Sequence, residues 1–216
     1  MTLQELKQLV SLGEGISLEF KHKVPHGERI AKEMIALANT QGGRILLGVS
    51  DDGTIAGVDD AAEEEFVLDR AMRRHVSPPV EYSTERIHTA TGRDVILVTV
   101  PESSQKPHHL VPGGDGVHGD GTAYVRVEEM SVEASPESVQ MMHEREEEPG
   151  ITFQFGETES LLMRYLDDYG RITVAEFAKL ADISPRQASE TLVRLARANL
   201  LQLHADREED YFTLAY

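Results

Sequence analysis

The chain contains no cysteine. That absence excludes a disulfide framework, a thiolate nucleophile and any zinc or iron–sulfur centre held by cysteine. Positive charge is also scarce: 21 Lys and Arg stand against 38 Asp and Glu, a formal net charge of −17. So acidic a chain does not wrap a polyanion wholesale, although a local basic strip remains open to it. From Ile151 onward seven Lys or Arg face eleven Asp or Glu, so −4 of the total lies there and −13 in residues 1–150. Long apolar runs are missing, and none approaches the ~20 residues a membrane-spanning helix requires. The opening Met-Thr-Leu-Gln-Glu carries neither a basic nor an apolar targeting region. A cytoplasmic protein with no membrane partner is the expectation. What the chain does have is 216 residues, 40% of them apolar, enough to bury a real core in one or two domains.

Thr2 and Glu5 form a capping box that opens a short helix bearing Leu3, Leu6, Leu9 and Val10. Ile16, Leu18 and Phe20 alternate with Ser17, Glu19 and Lys21, which predicts a half-buried strand. A helix over Glu28–Thr40 carries Ile30, Met34, Leu37 and Ala38 at helical spacing, with Gly42 as its stop. Ile45–Val49 reads as a buried strand, and Asp52-Gly53 as a hairpin turn into a strand over Ile55–Val58. A second amphipathic helix covers Ala61–His75 and stops before Pro78-Pro79. Strands follow at Val80–Ile87, Val95–Val100 and Ala123–Val127, with Ser103–Gly121 as a loop rich in Gly, Pro and His. Ser135-Pro136 opens a third helix, which fades into Glu146-Glu-Glu-Pro149-Gly150.

These patterns place one domain over 1–145, an acidic Pro/Gly linker over 146–156 and a small domain over 157–216. The small domain has three predicted helices, Thr158–Tyr169, Val174–Ala181 and Pro185–Asn199, the last capped by Ser184-Pro185. Two apolar runs, Leu200–Leu203 and Tyr211–Leu214, flank the charged turn Asp206–Asp210. Three helices and a hairpin in this order are the plan of a winged helix-turn-helix.

Several motifs in the front segment occur together and in order: Leu18-Glu19-Phe20-Lys21, Ala36-Leu-Ala-Asn39-Thr40-x-Gly42-Gly43, Leu47-Gly48-Val49-x-Asp51-Asp52-Gly53 and Gly57-Val58. Lys106-Pro107 and Tyr124-Val-Arg126-Val127 follow. Taken together they resemble the Schlafen AlbA_2 family over roughly residues 5–145. The resemblance implies an α+β fold, a mixed-sheet domain followed here by the winged helix. It also implies the role usually described for bacterial and archaeal members, DNA-binding transcriptional regulation. Eukaryotic Schlafen proteins are RNases with a Glu/Glu/Asp site, whose positions match Glu14, Glu19 and Asp51. Their zinc site uses cysteines and does not carry over. They pair two such domains, so a comparable groove here requires a homodimer. No phosphate-binding loop of the Gly-x-x-x-x-Gly-Lys-Ser/Thr type is present, so ATPase chemistry is not supported.

Two chemistries stay open. In the first, Glu14, Glu19 and Asp51 converge within ~4–6 Å and hold Mg²⁺ or Mn²⁺ through oxygen. Lys21, on the strand face of Glu19, then stabilises charge developing on a phosphodiester. The plain alternative is a solvated strand face and a hairpin turn. In the second, nucleic acid is bound, with DNA as the partner or structured RNA under the nuclease reading. Arg186, Gln187 and Ser189 lie early in the last helix, where a recognition helix meets base edges. Arg194 and Arg197 are placed for phosphates. Lys21, Lys23, Arg44, Lys106 and Arg126 are the front-domain candidates, with Arg70, Arg73 and Arg74 a weaker group. Asp206, Glu208, Glu209 and Asp210 on the wing oppose phosphate contact, which leaves a protein-interaction or dimerisation module as a further alternative. His108, His109 and His118 match no standard metal spacing and read as loop histidines.

Overall fold

The computed structural model describes residues 1–111, 121–143 and 156–215. The Gly-rich segments at 113–116 and 119–120, His118 and all of the expected linker but residue 156 lie outside them. The chain divides into two compact units, Met1–Glu133 and Ala134–Tyr216.

The first unit opens with α1 (Leu3–Val10), whose capping box forms as the Thr2/Glu5 pattern predicts. Then come β1 (Leu18–Lys21), α2 (Gly27–Asn39), β2 (Gly43–Leu47), α3 (Ala61–His75), β3 (Val76–Ser77), β4 (Ser83–His88) and β5 (Asp94–Val100). Three more strands close the unit: β6 (His109–Leu110), β7 (Thr122–Val127) and β8 (Met130–Glu133). One sheet runs β1-β2-β5-β4 and a second β3-β6-β7-β8. The first is mixed, because β1 pairs parallel with β2 while β2–β5 and β5–β4 are antiparallel. The α+β class with a mixed sheet is therefore what the residues build.

Both faces of the first sheet are covered. Ile45, Leu47, Ile96 and Val98 pack with Ile30, Met34 and Leu37 of α2 and with Leu68 of α3. Leu18, Phe20, Leu46 and Leu97 pack on the other side with Leu6 of α1. This corrects the half-buried reading of β1: Leu18, Glu19 and Phe20 are all buried. A carboxylate at Glu19 is therefore inside the molecule, where it requires partners.

The turn at Asp52-Gly53 forms, with Gly53 N–H donating to the Ser50 carbonyl. The strand expected over Ile55–Val58 does not. Only single bridges, Val49 to Ile55 and Val58 to Asp94, remain, because β5 already occupies the far edge of β2. The short strands β3 and β6 and the return strand β8 carried no pattern long enough to be read from sequence. Gly42, at φ +75°, turns the chain from α2 into β2, and a Cβ there would lie 2.6 Å from the Glu102 nitrogen. Only glycine meets both demands.

The second unit contains α4 (Pro136–Met142), α5 (Glu157–Tyr169), β9 (Ile172–Thr173), α6 (Val174–Ala181), α7 (Pro185–Arg197), β10 (Leu201–His204) and β11 (Tyr211–Leu214). The sheet order is β10-β11-β9. Leu162, Leu166, Phe177, Ala188, Leu192, Leu195 and Phe212 form its core. Ser135 caps α4 and Ser184 caps α7, each with proline in the first turn, as both Ser-Pro pairs predict. Helix α4, read from sequence as the end of the front segment, groups with this unit.

Candidate functional site

In the first unit the candidates gather at the outer edge of β1. That strand is at the edge of its sheet among the described residues, so the Phe20 N–H needs an acceptor other than a neighbouring strand. The Glu14 carboxylate does, at 2.8 Å. Burial holds the Glu14 carboxyl above its ordinary range; the Phe20 N–H and Lys21 oppose this, and the charges of Glu19 and Asp51 reinforce it. The fold therefore brings Glu14, Glu19, Lys21 and Asp51 into one electrostatic neighbourhood, as the parallel pairing of β1 with β2 requires.

Glu19, however, is already neutralised. One of its oxygens pairs with the Lys21 ammonium and the other lies 3.0 Å from the Arg126 guanidinium. Lys21 also donates to the Phe20 carbonyl at 2.9 Å. Arg126 continues the chain of charges: it pairs with Glu33 at 2.9 Å and donates to the Gly15 carbonyl at 2.7 Å. Ser131 donates to the same Glu33 carboxylate. The Arg126 side chain is wholly buried. A network of this kind ties β1, α2, β7 and β8 together and pairs charges that burial would otherwise make costly, although Glu19 Oε2 and Arg126 Nε carry no hydrogen bond among the described residues.

Among the described residues no group of three or more His, Asp or Glu side chains is arranged to hold a metal ion. The donors explain this. Glu14 is engaged with a backbone amide, Glu19 with two cations, and Asp51 is exposed. As arranged, the Glu14/Glu19/Asp51 set does not fit Mg²⁺ or Mn²⁺, which needs carboxylate oxygens converging on one point.

Two further front-domain candidates change role. Arg126 cannot reach a phosphate from the interior. Lys106 is mostly covered, donating to the Thr40 carbonyl at the end of α2 at 2.8 Å and pairing with Glu102 at 2.6 Å. A lysine on the last carbonyls of a helix is a stabilising C-terminal contact. Lys23 remains exposed.

The Asn39-Thr40 motif serves the same junction. Asn39 is buried; its amide donates to the carbonyls of His108 (2.9 Å) and Tyr124 (3.0 Å) and accepts from the His108 N–H (2.8 Å). The Thr40 hydroxyl accepts from the Arg126 N–H at 2.9 Å. Sequence reasoning missed Asn39, Glu33 and Ser131. Asn39 had a signal, a polar residue on an otherwise apolar helix face. Glu33 and Ser131 had none.

In the second unit, Arg186 stands at the start of α7 with its side chain 88% exposed, paired with Glu190 at 2.8 Å. Gln187 completes the capping box with Ser184. The Ser189 hydroxyl donates to Glu137 of α4. Arg194 pairs with Glu159 of α5 at 3.3 Å, and Arg197 donates to the Gln140 carbonyl of α4 at 3.4 Å. Just before β11, Asp210 accepts from both Ser135 and Ser138, at 2.5 and 2.7 Å.

Among the described residues no helix is long and apolar enough to cross a membrane. No curated protein matches the chain. Two solved structures share part of it at a TM-score of 0.40. The DIP2311 protein from Corynebacterium diphtheriae is 17% identical over 56% of this chain, which spans only 22% of that protein. The N-terminal domain of a RecG-related ATP-dependent DNA helicase protein from Nitrosomonas europaea is 19% identical over 59% of this chain and 89% of that domain. The model of the Schlafen AlbA_2 family matches residues 14–135, more than half of the sequence and all of the β1-edge cluster, and the chain belongs to that family.

Proposed function

We propose that the protein is a nucleic-acid-binding regulator whose second unit is a winged helix-turn-helix that meets duplex DNA through α7. The observation that carries this is Arg186. It projects into solvent from the first turn of a capped helix, behind which α5, α6 and the β9/β10/β11 sheet supply the supporting core. An arginine in that position can bond a guanine edge with two hydrogen bonds. Family membership favours a nucleic-acid-related role for the first unit, where Lys23 and Arg44 are exposed beside β1. A homodimer would match a two-fold operator. An electrophoretic shift on fragments flanking the protein's own gene tests the proposal. Retardation by the wild type that weakens in Arg186→Ala is the expected result, and no retardation at low salt, either by the wild type or by Glu137→Ala, which frees the Ser189 hydroxyl, would reject it.

A second reading, a divalent-metal-dependent endoribonuclease of the Schlafen type, has one observation in its favour: Glu14 carries a raised pKa beside Glu19, Asp51 and Lys21. The two cations paired with Glu19 count against it. Incubation with tRNA and Mn²⁺ decides the matter, since genuine cleavage must disappear in Glu19→Gln.

A further inference from the structure

The face of α7 that the proposed function requires is partly covered. Ser189, Val193 and Arg197 are four residues apart and so share one stripe of the helix. Helix α4 engages both ends of it: Glu137 accepts from Ser189, and the Gln140 carbonyl accepts from Arg197. Val193 between them is 2% exposed. The same short helix is fastened to the wing, where Ser135 and Ser138 both donate to Asp210. Met141 packs against the core of the unit. Helix α4 thus bridges α7 and the start of β11, the two elements between which a winged helix receives a DNA strand. Glu137 puts a carboxylate on the Ser189 hydroxyl where a phosphate oxygen would otherwise bind.

We infer that α4 is an autoinhibitory latch: it holds the α7–wing face closed, and duplex DNA binds after α4 is displaced. This rests on the reading of α7 as the DNA-contacting helix and adds its regulation. It also explains an acidic residue on the wing. Asp210 is the post to which α4 is tied, and its charge meets two hydroxyls. Arg186, on the neighbouring stripe, stays exposed in the closed state and can make the first contact.

Apparent affinity for a closed protein falls by the fraction that is open. Releasing α4 therefore raises affinity without adding a contact. The test is fluorescence anisotropy with a labelled mixed-sequence duplex in low-salt buffer, using the full chain. Two variants loosen the latch from the α4 side, Glu137→Ala and Glu137→Ala/Ser138→Ala. The single variant carries the test if circular dichroism shows the double to be unfolded. About tenfold or greater tightening is expected, the amount an open fraction of a tenth or less withholds. Hydrogen exchange of residues 135–143 should quicken when DNA is added to the wild type. Adding Arg186→Ala to a loosened variant should reverse the gain. Folded variants that bind no tighter than a DNA-binding wild type would overturn the latch and leave the DNA reading standing. Absence of binding by every protein, loosened variants included, would instead overturn the DNA reading and the latch with it.

Discussion

Arg126 in the first unit and Arg186 in the second are both paired with glutamate, yet they do opposite things. Arg126 is sealed inside and bridges Glu19 and Glu33, one on a strand and one on a helix. Arg186 lies on the surface and pairs with Glu190 one turn along its own helix. A buried pair is a structural commitment, because either partner alone would be an uncompensated charge in a poor solvent for ions. An exposed pair one helical turn apart is weak and screened, and is readily exchanged for a ligand. The family motifs of the first unit fall mostly in the former class. Asn39, Thr40 and Arg126 serve the junction between α2 and the second sheet, and Lys106 closes the end of α2.

The sharpest way to break this contrast is Arg126→Ala. It should lower unfolding stability by about 3–5 kcal/mol, the cost of leaving buried carboxylates unpaired, read as a large fall in the urea midpoint. An unchanged midpoint would show that the network does not hold the first unit together. Asn39→Ala comes next. It leaves the His108 and Tyr124 backbone groups without partners and should cost about 1–3 kcal/mol, measured the same way.

A smaller effect is expected from pH. Burial holds the His108 pKa below 6.5; the Pro78 carbonyl opposes this, and the Lys106 charge adds to it. Its Nδ1 lies 2.8 Å from the Pro78 carbonyl, and its Nε2 is buried without an acceptor among the described residues. The folded state therefore favours the neutral ring. The sign follows: the unfolded chain takes up the proton first as pH falls, so His108 contributes stability that is complete above 6.5 and declines below it. Thermal melts from pH 7.5 to 5 should fall, with a flatter slope in His108→Asn. Equal slopes would remove His108 from the explanation. At the bottom of the scale, Arg186→Ala should leave the melting temperature unchanged while weakening DNA retention. A drop in melting temperature would put Arg186 in the same class as Arg126.

The local elements were largely legible because their determinants are local. Thr2-x-x-Glu5, Ser135-Pro136 and Ser184-Pro185 mark helix starts, and each helix begins there. That β1 and β2 lie together was legible from the expected convergence of Glu19 and Asp51, but their parallel pairing came only from the structure. The β1-edge site was only half legible. Its members could be named, with Lys21 on the face of Glu19, but not the pairing of Arg126 with Glu19. The strand at Ile55–Val58 was misread because turn chemistry was present while the strand edge it needed was taken by β5.

By itself the sequence determined where helices begin, which faces are apolar, that cysteine chemistry is absent and to which family the chain belongs. Tertiary structure alone decided which charges are interior. Glu33 and Arg126 are 93 residues apart, and no spacing rule reaches that far. Burial converts Arg126 from a candidate phosphate ligand into an internal tie. Packing of α4 converts Ser189 and Arg197 from open contacts into occupied ones. Both outcomes depend on which surfaces meet, a property that charge and periodicity along the chain do not encode.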